Sequence, residues 1–381
     1  MSMDKANIYL DYAAATPLDE SVKQAMLPFW QDQFFNPSAS YSPAIKVRQA
    51  INHARQQVAY WLGAKPTEII FTAGASEANN LAVAGIMSQY PKANIVISSI
   101  EHESVLSPAS LYDCRLIKVL EDGRLDLNDL RQKIDNQTVL VSVMQANNEI
   151  GTIEPLKQVA EIIESIRRQR GSSGLPLYLH SDSTQAANYL DLHVARLGVD
   201  LMTLNGGKIY GPKQSGLLYL KSSVKLQPLI MGGGQERNLR SGTENVPAII
   251  GFATALDKAQ SLRHEEAKRT LQLRDDFISD LTRAIPGITI NGSIKQRLPN
   301  NIHVSLPNID NERLLIQLDA HGILAAAGSA CSASSNQPSH VLKAIGKSDL
   351  EARSSLRFSL GRQTMSSELK HVAQVMAKLI S

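Results

Sequence analysis

Four groups of residues in this chain carry chemistry by their type and setting. Lys208 stands in Asn205-Gly206-Gly207-Lys208-Ile209-Tyr210-Gly211-Pro212-Lys213, just past an apolar run. A lysine beside glycines at such a place can be partly desolvated, which frees its amine to attack a carbonyl; Lys213 is the competing lysine nearby. Asp182 follows the apolar Leu177–His180. A carboxylate buried there needs a cationic or hydrogen-bonding partner: it could hold a ring nitrogen protonated, or it could cap a helix beginning near Thr184. Thr72-Ala73-Gly74-Ala75-Ser76-Glu77 places small and hydroxyl residues between a strand and a helix. Free N–H groups at that helix start suit a phosphate, although Ser76 or Thr72 could equally serve as an ordinary cap. Cys331 lies in an unbroken run of small residues from Ala325 to Ser335. Such a run cannot anchor itself by large side chains, so part of it reads as a mobile, exposed loop, and an exposed thiol is a nucleophile once its thiolate is stabilised.

The elements that must position these groups follow from the apolar pattern. Strands are expected at Ile69–Thr72, Asn94–Ser99, Arg115–Val119, Thr138–Met144, Leu177–His180, Asp200–Leu204 and Gly216–Leu220, with helices at Glu77–Ser88 and Pro155–Arg168. Strands alternating with helices predict a mostly parallel sheet covered on both faces. All four groups are expected at or just beyond the carboxyl ends of predicted strands, where open α/β sheets bind ligands. After about residue 250 the pattern changes to two long helical stretches within Asn245–Ala284. Beyond them come short strands at Ile288–Ile290, Asn301–Ser305 and Ser355–Ser359, and helices at Glu312–His321 and Glu368–Ile380. This predicts a large domain over 16–255 and a smaller α+β domain formed by 1–15 with 256–381.

Composition excludes several classes. The chain has 381 residues, 43% of them hydrophobic and 20% charged, as expected of a soluble globular protein. Lys and Arg number 39 against 36 Asp and Glu, a net charge of +3. That balance is too even for direct nucleic-acid binding. No apolar run approaches the ~20 residues that span a bilayer, and the start lacks a signal-peptide pattern. The two cysteines, Cys114 and Cys331, are far apart; this excludes a disulfide scaffold and makes a reducing cytoplasm the expected location. Cys114, in a predicted strand, reads as a small buried hydrophobe. GxGxxG, GxxxxGK[ST] and GxSxG motifs are absent, and His264-Glu265-Glu266 has no second histidine at zinc-binding spacing.

The combination resembles the cysteine desulfurases of the NifS/IscS-like group, within the fold-type I pyridoxal 5'-phosphate (PLP) enzymes and the class V aminotransferase family. The resemblance runs through Tyr9-Leu10-Asp11-Tyr12-Ala13-Ala14, Asn36-Pro37-Ser38, FTAGASEANNLAVAG from Phe71, Glu101-His102 and Asn147-Asn148-Glu149-Ile150-Gly151. It continues through Asp182–Gln185, KIYGPK from Lys208, GGGQERNLRSGTENV from Gly232, Gly328-Ser329-Ala330-Cys331 and Leu356-Arg357-Phe358-Ser359-Leu360-Gly361-Arg362.

The resemblance implies a seven-stranded, mainly parallel sheet in the large domain and assigns roles. Lys208 would bind PLP covalently and later carry the Cα proton. Asp182 would pair with the pyridine nitrogen, and His102 would stack on the ring and serve in proton transfers. Asn148 and Gln185 would bond around the phenolic oxygen. Ala75, Ser76 and Asn205 would hold the phosphate, with Thr243 reaching it across a homodimer interface. Arg357 would clamp the substrate carboxylate. L-cysteine would become L-alanine, its sulfur captured as a persulfide on Cys331 for an iron–sulfur scaffold or a tRNA-thiolation protein. A selenocysteine lyase or other PLP lyase without a persulfide, and a PLP-poor subunit that only binds partners, are the alternatives. The chain departs from the family at Asn205-Gly206-Gly207, where Ser-x-His is usual, and at Gln145 and Tyr41-Ser42-Pro43. The missing histidine predicts easier loss of PLP.

Overall fold

The apolar runs in the first two thirds of the chain are buried along nearly their whole length, as strands covered on two faces must be. The computed structural model describes residues 7–307, 309–328 and 338–380. Its large sheet uses β2 (Ile69–Thr72), β3 (Asn94–Ser98), β4 (Asp113–Ile117), β5 (Thr138–Ser142), β6 (Tyr178–Asp182), β7 (Leu201–Asn205) and β8 (Gly216–Leu220). They lie in the order β2-β8-β7-β6-β5-β3-β4. The pairs from β7 through β6, β5 and β3 to β4 are parallel; β8 runs antiparallel to both neighbours. The expected seven-stranded α/β sheet is therefore present. Asp182 ends β6 itself, and no helix starts at Thr184, so the helix-cap reading of Asp182 is set aside.

A second sheet of three strands, in the order β12-β10-β9, comes from β9 (Thr289–Ile290), β10 (Asn301–Ser305) and β12 (Ser355–Ser359). Two more short strands, β1 (Ile8–Tyr9) and β11 (Ile323–Leu324), pair in parallel, so the start of the chain packs among its last third. One point differs from expectation. Val246–Ala284 is a single helix, and residue 255 falls inside it. The apolar pattern lapses between Gln260 and Thr270, which suggested two helices. Polar anchors replace it: Gln260 donates to the Ala187 carbonyl at 2.7 Å, and Arg269 donates to the Gly361 and Thr364 carbonyls at 2.8 and 3.0 Å. No glycine or proline interrupts the helix beyond Gly251. Cys114 lies on the edge strand β4, half-buried rather than fully enclosed.

Candidate active site

The carboxyl ends of β6 and β7, the start of the Ala75–Met87 helix and β12 of the small sheet surround one cavity of about 240 Å³. Its lining brings together Lys208, Asp182, His102, Asn148, Gln185, Ala75, Ser76, Asn205 and Arg357, nine residues singled out from the sequence. Thr243 is exposed and lines a separate cavity with Arg240 and Glu244. Cys331 lies outside the described residues.

At one end of the cavity the Ala75–Met87 helix begins. Its cap is Gly74, at φ +125°, and no side chain caps the first turn, so the Ser76 and Thr72 capping reading does not hold. Thr72 instead donates its hydroxyl to the Gly74 carbonyl at 3.0 Å. A side chain at Gly74 would meet no atom within 4 Å, so the space ahead of the helix is open. Nearby, Asn205 Oδ1 accepts from the Gly207 N–H at 2.9 Å and caps the turn Gly206–Lys208, which presents Lys208 to the cavity. The Lys208 amine donates to the carbonyls of Ala13 and Ala14 at 2.8 and 2.5 Å. Lys213 is turned away and donates to the Thr16 carbonyl.

Asp182 is buried and satisfied by neutral donors: Asn79 Nδ2 at 2.7 Å and the Thr184 N–H at 2.9 Å. Beneath it, His180 spans Ser142 and Thr203, and burial pushes its imidazole down to about 4, against the opposing pull of Asp182. Glu101 is wholly buried, with one oxygen accepting from the Met144 N–H. Burial first, then the neighbouring carboxyls of Asp182 and Glu154, hold it well above the usual carboxylate range. Burial thus disfavours the charged form of both His180 and Glu101 beside Asp182. His102 caps the Glu103–Ala109 helix through Nδ1. Gln185 donates to the Ala13 carbonyl at 3.1 Å.

Arg357 is almost fully enclosed. It donates to Asp11 Oδ1 at 2.7 Å and to the Asn148 carbonyl at 3.0 Å, and its Nε has no partner among the described residues. Thr184 Oγ1 is likewise buried with no partner among them. An uncapped helix start with open space before it, an amine, an anionic acceptor and unpaired buried donors form a donor set that fits PLP. Sequence reasoning gave no role to Asn79, Ser104, Asp11 or Thr184. Asn79 could have been marked by helical spacing, since it lies three residues after Ser76 on one face.

Residues 8–372 match the family model of class-V aminotransferases. The cysteine desulfurase IscS of Dictyoglomus turgidum is 40% identical, over 99% of this chain and 95% of its own. IscS 1 of Archaeoglobus fulgidus is also 40% identical, over 98% and 96%. A solved NifS-like protein superposes with a TM-score of 0.90 at 31% identity, covering 98% of this chain and 99% of that one. This chain belongs to the class-V aminotransferase family and, within it, to the PLP-dependent cysteine desulfurases of the NifS/IscS-like group.

Proposed function

We propose that the chain converts L-cysteine to L-alanine with PLP and captures the sulfur as a persulfide on Cys331. The observation that supports this most directly is the single cavity shared by Lys208, Asp182, His102 and Arg357. When bound, PLP supplies an electron sink for the substrate's Cα. The protein's own groups do the rest. Lys208 holds the cofactor and, once released from it, moves the Cα proton; Asp182 pairs with a cationic ring nitrogen. Ala75, Ser76 and Asn205 hold the phosphate at the helix start, and Asn148 and Gln185 bond beside the ring. Arg357 orients the substrate carboxylate. The Cys331 thiolate attacks the substrate sulfur: an S–S bond forms, the Cβ–S bond breaks, and its electron pair is protonated on carbon to give alanine.

The same reading extends to partners and setting. The chain acts as a homodimer, with Thr243 serving the neighbouring copy's phosphate, and passes its sulfur to an acceptor protein of iron–sulfur assembly or tRNA thiolation, in the cytoplasm. Among the described residues no helix is long and apolar enough to cross a membrane. We place the domain division at 16–255 against 1–15 with 256–381, the Val246–Ala284 helix belonging to both units. The test is incubation of the full chain with PLP and L-cysteine, measuring alanine and the mass of the Cys331 peptide. Alanine with one added sulfur on that peptide is expected, and Cys331→Ala should keep PLP yet lose sulfur release. Sulfur release undiminished in Cys331→Ala would overturn the persulfide route.

A further inference from the structure

An unassigned chain of hydrogen bonds joins two residues that line the cavity, Asp182 and His102. Asp182 Oδ2 accepts from Asn79 Nδ2 at 2.7 Å. The same Nδ2 donates to Ser104 Oγ at 2.8 Å. Ser104 Oγ lies 2.8 Å from His102 Nδ1, and the Ser104 N–H points at that same Nδ1 at 3.1 Å. Asn79 is fully buried, and its Oδ1 has no partner among the described residues.

The direction of each bond can be worked out. An ionised carboxylate only accepts, so the Asn79 amide must turn its Nδ2 toward Asp182; the flipped amide would set two oxygens against each other. Nδ2 then spends its second proton on Ser104 Oγ, which is left with one hydrogen to give. Among the described residues its only other hydrogen-bond partner is His102 Nδ1. Independently, the Ser104 backbone N–H has a fixed position and can only donate. A proton on Nδ1 would face that N–H, donor against donor. The backbone N–H requires Nδ1 to carry a lone pair, and the hydroxyl, with a hydrogen left to give, fits that direction, so in the neutral ring the hydrogen sits on Nε2. His102 Nε2 makes no hydrogen bond among the described residues, and the ring lines the cavity.

We infer that His102 is fixed as the Nε2–H tautomer and works as a hydrogen-bond donor, with Ser104 and Asn79 as positioning residues that tie this tautomer to the charge of Asp182. It stabilises an atom that gains negative charge, such as the substrate sulfur or an oxygen beside it, rather than removing a proton from one. The tautomer follows from this chain's own atoms; only the identity of the stabilised atom rests on the desulfurase reading.

The test is ¹⁵N NMR of the PLP-reconstituted full chain carrying ring-labelled histidine, with His102 assigned by its loss in His102→Gln. The parent should show an unprotonated-type shift at Nδ1 and a protonated-type shift at Nε2. Ser104→Pro removes both donors to Nδ1 at a first-turn position that tolerates proline, and should convert His102 to a tautomer mixture. Ser104→Ala removes only the hydroxyl and should move both shifts part of the way and lower kcat about fivefold with little change in KM, the size of one hydrogen bond; Ser104→Thr should restore both. A protonated Nδ1 in the parent overturns the inference. So do unchanged shifts in Ser104→Ala together with an unchanged kcat, an outcome that decides even if Ser104→Pro fails to fold. A parent that forms no alanine but shows the Nε2–H pattern refutes the desulfurase reading and supports this one.

Discussion

The two charged walls of the cavity are built differently. Asp182 comes from the large sheet and is held only by neutral donors, Asn79 and the Thr184 backbone. Arg357 comes from the small sheet and already has a counter-ion in Asp11. A buried anion without a neutralising charge is costly unless a cation arrives, so the large-sheet wall is arranged for a resident cationic group. The small-sheet wall is a balanced pair that an incoming carboxylate must share. Under the proposed function, permanent cofactor and transient substrate would thus meet opposite electrostatic designs.

The most severe way to break this contrast is to neutralise the first wall. Asp182→Asn keeps the shape and removes the charge; kcat should fall by about 10²–10³-fold, the scale of losing one preorganised electrostatic partner, measured as alanine release at saturating L-cysteine. A kcat within tenfold of the parent would mean the ring nitrogen is not the partner of Asp182. The second wall should answer differently. Arg357→Ala removes a charge-assisted contact worth about 1.5–3 kcal/mol and should lower kcat/KM about ten- to a hundredfold, chiefly through KM. Asp11→Asn sharpens the point, since it unloads Arg357. KM for L-cysteine should drop several-fold while Tm falls, because one member of a buried ion pair is lost. An unchanged KM would place the substrate carboxylate elsewhere.

A smaller effect is expected where the cradle departs from its family. Gly207 lies in the turn that presents Lys208, and a side chain there would meet Asn205 Oδ1 and the flexible Lys213 stem at an ordinary 3.4 Å. The Cβ of Gly207→His therefore fits, and a histidine there, serving the phosphate as in the family, should slow PLP loss on dialysis about tenfold, most of one charge-assisted bond after the entropy of ordering the side chain. If the parent chain already keeps stoichiometric PLP through extensive dialysis, the cradle is complete without it.

Much of this site was legible because its members lie at the ends of apolar runs. β6 and β7 read as strands by composition, so Asp182 and Lys208 could be placed at one sheet edge before any coordinates. Asn79, Ser104 and Asp11 were not legible as a group. They meet only through tertiary packing: Asp11 sits 346 residues from Arg357, and Asn79 sits 103 from Asp182. The long helix was misread for a related reason, as its polar middle is anchored by carbonyls from distant turns rather than by an apolar stripe. Local pattern reports burial, and these contacts are made by polar groups whose partners lie far along the chain.

The seam between the two walls gives the smallest expected effect. Residues 145–154 follow β5; the Ala146–Ile153 bridge closes this segment on itself, and the Thr152–Arg297 bridge ties it to the residues just before β10. Glu154 lies on this segment, almost fully buried; one oxygen accepts from the Leu125 N–H and the other has no partner among the described residues. Burial pushes its carboxyl up to about 8. In the unfolded chain an ordinary Glu titrates near ~4.3. Between those values the native state holds a proton that the unfolded state has lost. Stability from this group is therefore fully present below the unfolded value, declines as pH rises, and is gone above about 8. Glu154→Gln keeps the shape and the acceptor while removing the titration. Its Tm should lose a few degrees of the decline that the parent shows between pH 5 and 8, measured by thermal unfolding of the PLP-loaded protein. Parallel Tm–pH curves for parent and variant would mean that the Glu154 carboxyl is ionised in the fold, with water or a cation at its free oxygen, and that the seam, like the Asp182 wall, carries a buried charge.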